Sequence, residues 1–102
     1  MNKLTAAWVR KAESDFTVAK KLAQGRKPHH DEVCFHAQQS AEKYLKALLE
    51  QLGQTVPRTH VLEDLVVALL PFHPRLKALI RGSRFLTYFA VETRYPGENA
   101  TK

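Results

Sequence analysis

Cys34-Phe-His-Ala-Gln-Gln-Ser-Ala-Glu-Lys-Tyr-Leu-Lys-Ala-Leu-Leu49 is the stretch whose reading decides the fold. Wound at about 100° per residue, it places Cys34, Ala37, Ala41, Tyr44, Leu45, Leu48, Leu49 and Leu52 on one broad apolar arc. Gln38 lies inside that arc and Glu42 at its edge. An unpaired polar group in a core costs roughly 1–3 kcal/mol, so these two residues need partners or a task. Lys46 follows Glu42 by one turn, in the favourable order for an ion pair, and Gln39 flanks the row.

Working outward, the same period recurs on both sides. Before the central helix, Leu4, Trp8, Ala12, Phe16, Ala19 and Leu22 share a face, which predicts a first helix from Thr5 to Gln24 stopped by Gly25. Asp15 falls on that apolar face. Arg26-Lys27-Pro28-His29-His30 forms the loop, and Asp31-Glu32 suits the positive N-terminal end of the second helix, which runs to about Leu52 and stops at Gly53. Beyond the connector, Thr59 is placed to cap a short third helix, His60 to Leu70. Pro71 and Pro74 bracket a turn, and a fourth helix is expected from Arg75 to about Phe89. On it Lys77, Arg81 and Arg84 lie at i, i+4 and i+7 and form a basic stripe. With no alternating strand pattern, the reading is all-α: one domain over residues 1–102, an up-and-down bundle of two long antiparallel helices and two shorter ones.

Composition sets limits on function. The hydrophobic fraction of 44% is enough for a small core, and a second chain would add to it. Lys and Arg outnumber Asp and Glu by 16 to 10, a net charge of +6 that favours nucleic acid or nucleotides as partners. A single cysteine, Cys34, excludes an internal disulfide and a multi-cysteine zinc site. The N-terminus has no signal-peptide core, and the apolar run Leu65 to Leu70 is too short to span a bilayer, so a cytoplasmic protein without membrane contact is expected. Glycine-rich phosphate loops, HExxH helices and nucleophile elbows are all absent from the sequence. His29-His30-Asp31-Glu32 reads as a loop and helix cap rather than a ligand set, so neither metal nor cofactor is expected.

Two candidate sites remain. In the first, Gln38, Gln39, Glu42 and Lys46 form a polar seam with Asp15 as support. It is read either as a buried lock between the long helices or as a groove that receives Arg94. In the second, Arg94-Tyr95-Pro96 presents a charged fork and a stacking ring, groups suited to nucleotide or RNA. It also reads as a helix terminator. His36 is expected on the solvated side of its helix, and His60 packed at a helix start.

The run Cys34-Phe-x-Ala-Gln-Gln-x-Ala-Glu-Lys-x-Leu-Lys-Ala-Leu resembles the second-helix signature of HEPN domains (higher eukaryote and prokaryote nucleotide-binding). Trp8-x3-Ala12-x2-Asp15-x3-Ala19, Pro57-x-Thr59-His60-x-Leu62-x2-Leu65 and Thr93-Arg94-Tyr95-Pro96 are similar to the flanking segments, in the same order. The resemblance is to the prokaryotic subfamily associated with minimal nucleotidyltransferases. It implies a helical bundle that forms homodimers and works in a two-gene, toxin–antitoxin-like module, binding nucleotide or RNA. Some members are metal-independent ribonucleases with an arginine and a histidine separated by four to six residues. Here no histidine follows Arg94, so that motif is not present and only Arg94 carries over, as a ligand-binding residue. Members of the subfamily also continue into another long helix. Its absence before Lys102 implies uncovered apolar surface on the first two helices. Three functions stay open: a binding component of the module, an endoribonuclease using His36 or His60, and a structural partner of the nucleotidyltransferase with no ligand.

Overall fold

The computed structural model describes residues 1–25 and 30–90. Arg94, Tyr95 and most of the Arg26-to-His30 loop therefore lie outside the described residues. Four α-helices are present, α1 (Lys3–Ala23), α2 (His30–Gln51), α3 (Leu62–Leu69) and α4 (Ile80–Ala90), with a 3-10 helix over Pro74–Leu79. There is no strand among the described residues, and the all-α bundle expected from periodicity is what the chain forms.

Boundaries move where side chains intervene. Asn2 starts α1 two residues earlier than predicted, because its side chain accepts the Thr5 backbone N–H at 2.8 Å. Gly53 ends α2 as expected, in the left-handed region at φ 73°, where a side chain would be strained. The third helix begins at Leu62 rather than His60, and Thr59 does not cap it. Thr59 Oγ1 instead accepts the Val61 N–H at 3.1 Å, a local turn that leaves His60 and Val61 ahead of the helix.

The expected fourth helix is two elements. Pro74 at its first turn starts a 3-10 segment, and α-helix begins only at Ile80. Lys77 therefore stands apart from Arg81 and Arg84, whose i, i+4, i+7 spacing assumed one continuous α-helix. All three are exposed, and Arg84 is bound by Glu63 through a two-pronged contact of 2.8 and 2.7 Å.

The bundle has two interfaces. α1 runs antiparallel to α2 along a seam of small buried residues, Ala12 and Ala19 against Ser40 and Ala47, and Ser40 Oγ donates to the Ala12 carbonyl at 2.8 Å. On another side of α2, Leu49 joins Leu62, Leu65 and Leu69 of α3 in the main core, with Leu45, Leu52, Leu76 and Leu86 packed around it. The predicted apolar arc is thus only partly buried. Ala37 and Ala41 are half-buried and Tyr44 is exposed, and with Phe16 they line a shallow groove between α1 and α2. Uncovered apolar surface on the first two helices is what the structure shows.

Candidate functional site

In the polar row of α2, Gln38, Glu42 and Lys46 are buried and bonded. Glu42 sits at the centre, its side chain only 4% exposed. One carboxylate oxygen accepts the Lys46 ammonium at 2.9 Å, and the other accepts the His60 Nδ1–H at 3.0 Å. The Lys46 side chain is itself 8% exposed, and its Nζ lies 5.4 Å from the centre of the Trp8 ring on α1. Gln38 donates through Nε2 to the His60 carbonyl at 2.6 Å and accepts from Thr87 of α4 at 3.3 Å. Thr87 in turn accepts the Leu62 N–H, an orphan donor of the first turn of α3, at 3.3 Å. One network therefore joins all four helices around a single buried carboxylate.

Helical spacing placed Gln38, Glu42 and Lys46 together, and they are together. Gln39 is half-buried beside them. Asp15 does not join them. It meets Lys43 and His36, its other oxygen accepting the His36 Nδ1–H at 3.0 Å. The reason is rotational: Lys43 follows Glu42 by one residue, about 100° around α2, so α1 sees Lys43 and His36 while α3 and α4 see Gln38 and Glu42. His36, expected to be solvated, is consequently partly buried in an ion pair.

His60 departs from expectation in the other direction. It does not pack at the helix start: its side chain is 75% exposed while its Nδ1 reaches the buried carboxylate. Sequence reasoning also missed Thr87 and the contact of Trp8 with Lys46. A signal for Thr87 exists, because Ser83, Thr87 and Ala90 recur at i, i+4 and i+7 as small residues, the mark of a closely packed helix face.

Partial burial pushes the Asp15 carboxyl up, but the hydrogen bonds and charges of Lys43 and His36 outweigh this and hold it below the ordinary aspartate value. A carboxyl held low in the folded state contributes stability that is complete above the unfolded value of about 3.9 and drains away as pH falls through the lower folded value. Asp15→Asn is expected to cost about 1 kcal/mol at neutral pH and to flatten the acid limb of the stability profile below about pH 4. Urea titrations from pH 2 to 7 would check this, and an unchanged acid limb would show that the pair contributes nothing to folding.

Burial, and to a lesser degree Asp31, pushes the Cys34 thiol up, away from the reactive thiolate. Among the described residues no group of three His, Cys, Asp or Glu side chains could hold a metal ion. No helix of the described residues is long and apolar enough to cross a membrane.

The family model described as the HEPN domain matches residues 5–102. No curated protein and no solved structure matches the chain.

Proposed function

The chain belongs to the HEPN domain family, and from that premise we propose that it is the nucleotide- or RNA-binding component of a two-gene module whose other product is a minimal nucleotidyltransferase. The observation that carries the reading is the disposition of charge. The buried and half-buried acids Glu42, Asp15 and Glu63 each hold a cation, while Arg58, Arg75, Lys77 and Arg81 face solvent. These exposed cations, beside the exposed acids Glu13, Glu32 and Asp64, suit a polyanion.

In this reading Gln38, Glu42 and Lys46 support the site from beneath, and Gln39, Arg94 and Tyr95 reach the ligand. Arg94 forks a phosphate and Tyr95 stacks on a base. A homodimer covers the apolar groove of Phe16, Ala37, Ala41 and Tyr44.

Titration of a fluorescent single-stranded RNA and of nucleoside triphosphates over a range of salt would test the proposal. Arg94→Ala is expected to weaken RNA binding about tenfold and to reduce the slope of log K against log salt by about 0.7, the signature of one lost phosphate contact on a single strand. Unchanged binding would remove Arg94 from the site. Failure of the wild-type protein to bind either ligand, while co-purifying with the nucleotidyltransferase, would leave a purely structural partner.

A further inference from the structure

Between Asp64 and Glu92 the chain carries no acidic residue, while Arg75, Lys77, Arg81 and Arg84 all fall in that stretch and are exposed. α4 lies inside it and has two unlike faces. Its buried residues are small, Ser83 and Ala90, with Thr87 between them on the Gln38 network. On the opposite side, Tyr88, Arg81 and Phe85 share an arc of about 60° turned to solvent. Phe85 is 62% and Tyr88 52% exposed. A helix that buries its small residues and exposes its rings inverts the usual distribution, the mark of a surface that meets another molecule.

The rings also bind one another. Phe85 packs on Phe89 with centroids 4.6 Å apart at a tilt of 39°, and Tyr88 meets Phe89 at 5.0 Å, nearly at right angles. They form one knob rather than the row of open plates on which successive nucleic-acid bases stack. Positions 85, 88 and 89 have the i, i+3, i+4 spacing of the anchors by which a helix enters an apolar groove.

Charge narrows the occupant. Arg84, one turn before Tyr88, is taken by Glu63. Arg81, one turn before Phe85, is in no ion pair among the described residues. Docking the knob withdraws Arg81 from water, and a carboxylate must meet it there. A second copy of this chain does not supply one, because a two-fold contact sets the patch against itself, cation on cation.

We propose that the outward face of α4 is a docking surface for a different protein, with Phe85, Tyr88 and Phe89 entering an apolar groove whose acidic rim meets Arg81. The assignment stands apart from the RNA-binding reading, which the Arg94→Ala titration decides.

The test replaces Phe85 by the photo-cross-linking amino acid p-benzoylphenylalanine in the full chain, expressed in its own cells, with the same replacement at exposed Glu13 as the control. Irradiation is expected to join position 85, and not position 13, to one other protein. That protein is then purified and titrated against the chain. Phe85→Ala is expected to weaken the complex about 30-fold, as for a central anchor, and Arg81→Glu by about tenfold or more. Both side chains are exposed, so the urea midpoints of the two variants are expected to match wild type. Changing an acid on the groove rim of the partner to lysine is expected to restore binding to Arg81→Glu, a rescue that a general loss of structure would not give. Equal labelling from both positions, or an adduct with a second copy, with RNA or with lipid, overturns the proposal. So does a captured protein whose affinity is indifferent to Arg81→Glu.

Discussion

Glu42→Ala is expected to lower the unfolding free energy by about 3–5 kcal/mol, a large part of the roughly 5–15 kcal/mol available to a domain of ordinary stability. The loss comes less from the missing bonds than from what they leave behind. The Lys46 side chain is 8% exposed, and without Glu42 its ammonium keeps the face of Trp8 in place of a counter-charge. His60 would fare better, since its exposed ring can turn to water. The double variant Glu42→Leu with Lys46→Met separates these causes. Replacing a buried pair by apolar side chains of similar size is commonly neutral, so the double variant is expected to recover most of the loss. Urea midpoints for the three proteins decide the matter. A double variant as unstable as Glu42→Ala would mean that the bond to His60, rather than the stranded lysine, sets the cost.

The second large effect belongs to the core. Leu65 has no exposed surface and sits among Leu49, Leu62 and Leu69. Leu65→Ala is expected to cost about 2–5 kcal/mol, the transfer of the lost atoms plus the cavity they leave. For a chain of this size that lowers the melting temperature by about 10 °C or more. Two residues along the same helix, Val67 is 50% exposed, and Val67→Ala is expected to change stability by no more than about 0.5 kcal/mol. Calorimetry of the pair checks whether the leucine cluster is the main core. Similar losses for both would show that a partner chain buries Val67.

Much of the bundle was legible because its signals are local. Ala12 and Ala19 on one helix, Leu65 and Leu69 on another, and the stop at Gly53 follow from spacing and backbone preference alone. The ion pair of Glu42 with Lys46 is of the same kind, since both residues lie on one helix a turn apart. The elements that were misread depend on competition. Thr59 had a choice between capping α3 and closing a turn on Val61, and the turn prevailed while Gln38 held the His60 carbonyl. Asp15 had a choice of cations on α2, and the rotation of that helix gave it Lys43.

The sequence by itself therefore determined the helices, their order, the polar row on α2 and the family of the domain. Only the tertiary structure decided that Lys46 lies against Trp8, that Thr87 closes the row from α4, and that His60 stands in solvent with its ring on a buried carboxylate. Periodicity specifies each helix along its own axis. It does not specify how far two helices slide and turn against one another, and that relative placement is set by packing among side chains distant in sequence.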